Sequence, residues 1–194
     1  MTMNRKKLVD SFKRYEHWSR KETENGTLLI GNPHKDKPYW WLIKIFSPIS
    51  KEELNRLKDE LHIPDIYSYF LLEYCNGLDL FLGTLSLFGY RKNMIRTPSQ
   101  VIQQPFNVAT INLNECPKNS KQNYFYFGSY NWDGSLIYMD TKDNCIYLCH
   151  RYDSTPIFKW NSFKSFLDTE IPRICSLFND NGEEINPDSS TLPI

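Results

Sequence analysis

The segment from Tyr124 to Trp160 constrains the fold of this chain more than any other. Its strand-forming runs are separated by turn residues, among them Asp133-Gly134. Asp-Gly beside strand-forming residues is a strong hairpin signal, because glycine adopts a positive φ without a Cβ clash. The segment therefore predicts an antiparallel meander with aromatic faces. The expected strands are Tyr124–Phe127, Leu136–Met139 and Cys145–His150.

Two helices are predicted upstream of the meander. Ser50 and Glu53 fit a capping box, in which each side chain accepts a backbone N–H of the first turn. Leu54, Leu57 and Leu61 then form one apolar stripe. A proline cannot continue this helix, but it suits the first turn of a second one. The second helix is expected to have Pro64 at its start, Ile66, Phe70 and Tyr74 as its apolar stripe, and Asn76-Gly77 as its stop.

The rest of the chain gives weaker signals. Apolar spacing over residues 4–18 predicts a short amphipathic helix, whereas residues 98–115 fit a helix as well as a strand. In a strand over residues 39–46, Trp40 and Trp41 would point to opposite faces. We also expect a strand at 27–31, one or two strands in 78–89, a final helix capped by Asn161 or Ser162 and kinked or divided at Pro172, and a loosely tethered tail over 179–194.

The pattern as a whole predicts a single α+β domain over residues 1–194, with helices packed on a mainly antiparallel sheet. A chain of 194 residues is long enough to bury one core. A helix and strand extension of about residues 1–46 precedes the part with the strongest signals.

Composition argues against several partners. Lys plus Arg total 23 and Asp plus Glu total 23, so the net charge of zero gives no electrostatic footprint for nucleic acid or for an anionic membrane. No apolar run approaches the length of a transmembrane helix. The five cysteines are an odd number in a sequence without signal-peptide architecture. We therefore expect a cytoplasmic protein with reduced thiols; the oligomeric state stays open.

The sequence contains no convincing metal or cofactor site. On one strand, Cys145 and Cys149 lie about 13 Å apart, too far for one zinc ion with Zn–S bonds of about 2.3 Å. We interpret both as small buried apolar residues, with His150 on the opposite face. Asp133, Asp140 and Asp143 fit turns, because Asp side chains bind the backbone of turns.

The sequence also lacks the usual catalytic patterns. Its glycines match neither G-x-G-x-x-G nor a Walker loop, and neither G-x-S-x-G nor H-E-x-x-H occurs. We therefore assign no catalytic residue and expect a protein that is not an enzyme.

An aromatic pair at a predicted hairpin tip favours binding to a protein partner. Tyr130 and Trp132 stand beside Asp133, and such aromatics anchor interfaces because they bury a large area at low rotamer cost. The alternative is that Trp132 folds back on the sheet. An acidic helix surface could also face a basic partner; it comprises Glu52, Glu53, Asp59 and Glu60. The predicted partner-binding residues are Tyr130, Trp132, Asp133, Asp140 and Asp143.

The order of these signals resembles the SUKH superfamily, which includes the Smi/Knr-type cell-wall-assembly regulators of fungi and related bacterial immunity proteins. The resemblance covers about residues 47–175 and rests on the helix pair and the later strands. The matching segments are ISKEELNRLKDELH (49–62), IPDIYSYFLLEYCNGL (63–78), FGSYNWDGSLIYMD (127–140) and SFKSFLDTEI (162–171).

The resemblance implies an α+β fold and a function in protein binding. For bacterial members it implies neutralisation of a cognate toxin, often a nuclease, by direct contact. The neutral net charge departs from the acidic character expected of a nuclease inhibitor. The alternative is a regulatory or scaffolding module of the cell-wall-regulator kind.

Overall fold

The structure is a computed structural model that describes residues 5–34, 36–95 and 97–194. Nine strands form one sheet in which each strand pairs antiparallel with the next along the chain. The strands are β1 (Arg20–Glu22), β2 (Leu28–Ile30), β3 (Ile43–Ile45), β4 (Leu78–Leu80), β5 (Leu85–Leu87), β6 (Tyr124–Ser129), β7 (Leu136–Asp140), β8 (Cys145–His150) and β9 (Asp153–Trp160).

The helices accompany this sheet, so the predicted α+β class is confirmed. They are α1 (Arg5–Asp10), α2 (Lys51–Glu60), α3 (Asp65–Glu73), α4 (Pro98–Val101), α5 (Val108–Thr110) and α6 (Phe163–Ser176). A 3₁₀ turn at Lys13–Tyr15 follows α1, and a π-helical turn at Ile111–Glu115 follows α5. Residues 98–115 therefore contain short helices and no strand, which settles the ambiguous segment.

The two faces of the meander differ as its alternation predicts. Tyr126, Tyr138 and Tyr147 lie opposite one another on one face, and their neighbours Phe125, Met139 and Ile146 lie on the other. The second face is buried under α3 and α6, where the ring of Phe127 lies 5.4 Å from that of Phe163.

Helix α2 begins as predicted. The backbone N–H of Glu53 donates to the Ser50 hydroxyl at 3.2 Å, and the N–H of Ser50 donates to the Glu53 carboxylate at 2.8 Å. Leu54 and Leu57 are buried, whereas Leu61 is half-buried just after the helix end.

The predicted apolar stripe of α3 is correct for Phe70 and for Tyr74, which packs partly buried against the core, but wrong for Ile66. Ile66 is 46% exposed, and the buried aromatic and aliphatic positions are Tyr67, Phe70 and Leu71. Tyr67 sets this rotation, because its hydroxyl donates to the carbonyls of Phe88 (2.5 Å) and Phe127 (3.3 Å). A buried tyrosine hydroxyl needs such a partner, so the helix turns this side chain inward.

The strand predicted over residues 39–46 begins only at Ile43. Tyr39 and Trp40 lie in a turn, where the N–H of Trp40 donates to the carbonyl of Lys37 at 3.1 Å. Trp41 belongs to a small second core with Leu29, whereas Trp40 is 45% exposed.

The tail over residues 179–194 packs on the domain, contrary to the prediction of a loose tether. The N–H of Ile185 donates to the carbonyl of Leu177 at 2.9 Å, and Thr191 and Leu192 are buried. Arg173 of α6 donates to the carbonyl of Thr191 at 2.7 Å. The same helix continues through Pro172 as one element, so the predicted division does not occur.

All five cysteines are free thiols, and Cys149 is buried as predicted, while Cys145 is half-buried. Burial raises the pKa of Cys75 and of Cys149 to about 12 and that of Cys175 to about 11. Within the described ranges, no helix combines the length and apolar character needed to cross a membrane.

The buried thiols should be inert toward alkylation. A thiol with a raised pKa holds little thiolate at pH 8, so Cys75, Cys149 and Cys175 should resist a maleimide until the protein unfolds. Exposed Cys116 should react fast. Mass spectrometry of peptides after timed labelling measures this, and Cys116→Ser should remove the fast label. Rapid labelling of Cys149 in the folded protein would contradict the burial.

The capping box of α2 should contribute measurably to stability. Ser50→Ala leaves the N–H of Glu53 without its acceptor and should lower the free energy of unfolding by about 0.5–2 kcal/mol. Urea unfolding followed by circular dichroism gives the value. Ser50→Asp keeps an acceptor at the same position and should stay close to the wild type. Equal losses in both variants would mean that the cap does not stabilise the fold.

Candidate protein-binding surface

Six of the fifteen exposed large apolar side chains among the described residues lie at one end of the sheet. Because every strand runs antiparallel to the next, alternate connections lie at the same end. The loops β2–β3, β4–β5, β6–β7 and β8–β9 therefore share an end, and the segment before β1 joins them through a bond from the N–H of Gly31 to the carbonyl of Ser19. We call this the aromatic end, defined by Trp18, Tyr39, Trp40, Leu82, Trp132 and Tyr152, which are 37–79% exposed.

A groove of about 740 Å³ lies at the aromatic end between the β6–β7 turn, the β8–β9 turn and residues 106–115. Trp132 and Tyr152 flank it, and Phe106 on the far side is 52% exposed. Asp133, Arg151 and Glu115 add charge of both signs to its lining. The groove thus combines apolar walls with a charged rim.

The β4–β5 turn presents Leu82 in a strained backbone conformation. Phe81 and Leu82 have φ of 47° and 56°, in the left-handed region that non-glycine residues seldom adopt. Phe81 is held in the core by stacking on Phe178, with ring centroids 3.9 Å apart. Leu82 remains 45% exposed. A Cβ built on Gly83 would lie 3.9 Å from the Cβ of Asn131, so this turn stands beside the β6–β7 turn.

A second concavity of about 270 Å³ lies on the other side of Leu82. We call it the tryptophan cavity. It is lined by Trp18, Pro33, His34, Trp40, Leu42, Leu82, Asn181, Gly182 and Glu183. The aromatic end therefore offers two depressions, and the strained turn contributes Leu82 to the second of them.

Tyr130, predicted as a partner anchor, lies in the core instead. It has no exposed surface, and its hydroxyl donates to the Glu170 carboxylate at 2.7 Å. Glu170 is itself buried and paired with Arg173 of the same helix. Burial, together with the negative charge of Glu170, raises the pKa of Tyr130 well above its usual value. This residue fastens the β6–β7 turn to α6.

The predicted aspartates are divided between the two ends of the sheet. Asp133 is at the aromatic end, where it accepts the N–H of Ser135 at 2.8 Å and lies 3.8 Å from Nδ1 of His150. Asp140 and Asp143 flank the β7–β8 turn at the opposite end, because successive turns of a meander alternate between ends. The five predicted residues therefore do not form one surface.

Asp140 and Asp143 stabilise their own turn. Asp140 accepts the N–H of Lys142 at 2.9 Å, and Asp143 accepts the N–H of Cys145 at 2.8 Å and the hydroxyl of Tyr147 at 2.6 Å. Desolvation opposes ionisation of Asp143, but these hydrogen bonds outweigh it and lower its pKa. The interpretation of these residues as turn formers agrees with this geometry.

Leu82 and Tyr152 belong to the aromatic end but were not predicted from the sequence. A signal for Tyr152 was present, since Arg151-Tyr152 connects two strands and is the second connection along the chain after the β6–β7 turn, which carries Trp132. The rule that alternate turns share an end would have placed it beside Trp132. No comparable signal exists for Leu82, because leucine is rare in left-handed turns.

The comparison with known families shows to which family the chain belongs. The SMI1 / KNR4 family (SUKH-1) matches residues 48–169, which is more than half of the sequence. The chain therefore belongs to the SMI1 / KNR4 family (SUKH-1), which confirms the resemblance to the SUKH superfamily. No curated protein matches the chain.

The buried link from Tyr130 to Glu170 should matter for stability. Tyr130→Phe removes one hydrogen bond to a buried carboxylate and should lower the free energy of unfolding by about 1–3 kcal/mol. Chemical denaturation measures the loss. Tyr152→Phe removes the same hydroxyl from a side chain that is 79% exposed and should change stability by less than about 0.5 kcal/mol. Similar effects of the two substitutions would contradict the structural role of Tyr130.

Proposed function

We propose that this protein is a non-enzymatic immunity protein, which neutralises a cognate toxin by binding it directly through the aromatic end. The observation that carries the proposal is the collection of exposed aromatic residues around a groove at one end of a rigid sheet. The toxin would be blocked by occlusion of its active site or of its substrate site.

The side chains at the groove are of the types that dominate binding energy. Trp and Tyr are enriched among residues whose truncation costs about 2 kcal/mol or more in a complex. Trp132 and Tyr152 stand on tight turns whose strands are fixed by the core, so little ordering is needed when a partner binds. An immunity protein needs tight binding, which such preorganised anchors favour.

The strained β4–β5 turn supports the same surface. Left-handed backbone at a non-glycine residue costs on the order of 1–3 kcal/mol and clusters at functional sites. Here the strain holds Leu82 outward while Phe81 remains stacked in the core. A structure selected only for stability would favour glycine at such a position.

The titratable groups favour binding over catalysis. Asp133 and His150 are 36% and 60% exposed, so their pair lies in water and lacks the desolvated setting that activates an acid or a base. The thiol of Cys149 is buried with a pKa raised to about 12, which disfavours the nucleophilic thiolate. Five free cysteines fit a protein that acts in the reducing cytoplasm.

The proposal is tested by co-expression with the toxin encoded beside this gene. The wild-type chain should restore growth and co-purify with the toxin. Trp132→Ala combined with Tyr152→Ala should abolish protection, because the loss of two anchors at about 2 kcal/mol each weakens Kd by a factor on the order of 10³. Calorimetry on the purified pair gives Kd.

The matched control is Tyr69→Ala. Tyr69 lies on α3, outside the aromatic end, and is 54% exposed, so its removal should leave protection intact. A toxin that remains lethal beside the wild-type chain, with no complex formed, would refute the immunity function. Equal losses in Tyr69→Ala and in the double variant would refute the aromatic end as the binding surface.

A further inference from the structure

We propose that the tryptophan cavity binds an arginine or lysine side chain of the protein partner. This inference rests on the proposed function, since it names the chemistry of the residue that the partner would place at this end of the sheet. Three features lead to it: two indole walls, an apolar floor and a carboxylate, Glu183, at the mouth.

The walls of the cavity are tryptophan rings, which attract cations through their π faces. The indole Nε1–H of Trp18 donates to the carbonyl of Asp180 at 3.2 Å, which fixes the orientation of that ring. Trp40 is braced by an edge contact with His34, with ring centroids 5.3 Å apart. Both indoles are nevertheless 37–45% exposed, so part of their surface faces solvent.

Trp40 already binds one cation of the chain itself. Nζ of Lys37 lies 4.2 Å from the centroid of its ring. Lys37 does not belong to the cavity lining, whereas Trp40 does. The contact places an ammonium ion within the range of a cation–π interaction with this indole.

The floor of the cavity is apolar. Leu42 is buried there, and Gly182 packs so closely that an added Cβ would lie 2.4 Å from Cδ1 of Leu42. Leu82 supplies a further aliphatic wall. Arginine and lysine carry long aliphatic stems that gain from such contacts while their charged heads stay near water.

A carboxylate lies at the mouth of the cavity, while the ammonium of Lys37 lies outside the lining beside Trp40. Glu183 lines the cavity and is exposed, and the side chain of Asp180, next to Trp18, is 80% exposed. Asp180 does not line the cavity and is paired with Arg14 at 3.9 Å, so Glu183 is the carboxylate that a bound side chain would meet. The carboxylate of Glu183 would repel an anionic side chain and attract a cationic one.

The cavity belongs almost entirely to the part of the chain outside the family match. Of its nine lining residues, only Leu82 lies within residues 48–169. The segment before β3 and the tail build the rest.

The experiment uses the full ¹⁵N-labelled chain and the capped peptide acetyl-Gly-Arg-Gly-amide, with the lysine, norleucine and glutamate peptides alongside. The indole N–H signals of Trp18 and Trp40, assigned with Trp→Phe variants, are followed by NMR during each titration. Arginine and lysine peptides should give saturable shifts of both signals. The norleucine peptide, which keeps the aliphatic stem without charge, should bind at least about tenfold more weakly.

Two variants test the parts of the cavity. Glu183→Gln should weaken the arginine peptide about threefold, as expected for one exposed ion pair, without altering the fold. Trp40→Ala should abolish the shift that the arginine peptide causes in the indole N–H signal of Trp18. Trp132→Ala is the control and should leave the titration unchanged.

Equal binding of the norleucine and arginine peptides, or no saturable shift with either cation, would overturn the inference. These outcomes are separable from those for the proposed function. Protection by the wild-type chain tests toxin binding whether or not the peptide binds. Saturable arginine binding that Trp132→Ala leaves intact supports the cavity even when the toxin stays lethal.

Discussion

Tyr67 is the contact on which the two layers of this fold depend. Its ring lies against three phenylalanines from the sheet and α6. Its hydroxyl donates to the carbonyl of Phe88, which directly follows β5, and to the carbonyl of Phe127 in β6. One side chain thus combines apolar burial with the pairing of buried backbone acceptors. Because it fixes α3 against the middle of the sheet, it also fixes where the β6–β7 turn projects.

A second set of buried hydrogen bonds connects the core to the β6–β7 turn and to the tail. Tyr130 connects the β6–β7 turn to Glu170, Glu170 pairs with Arg173, and Arg173 donates to the carbonyl of Thr191 in the tail. Removing one partner from such a network leaves a buried charge incompletely paired, which is costly. The groove and the tryptophan cavity are therefore built on elements that share one network of buried hydrogen bonds.

Local signals in the sequence were enough for the meander and for α2, because Asp133-Gly134 and the Ser50–Glu53 box act through neighbouring backbone atoms. They were insufficient for the rotation of α3, which Tyr67 decides through distant carbonyls. Only part of the candidate surface could be predicted from the sequence. Trp132 and Asp133 lie on it, whereas the hydroxyl of Tyr130 finds its partner 40 positions along the chain, a pairing that local spacing does not encode.

Because the connections of the meander alternate between the two ends of the sheet, the loops at the aromatic end are separated from the loops at the opposite end. Connections at the aromatic end join strands whose register is set elsewhere by Leu, Ile and Phe contacts in the core. Replacing the exposed side chains of these four loops would change the surface at the aromatic end, whereas the buried side chains of Phe81 and Tyr130 hold the same loops to the core. The exposed loop positions can thus diverge on a constant scaffold, in the way that antibody loops diversify on their sandwich.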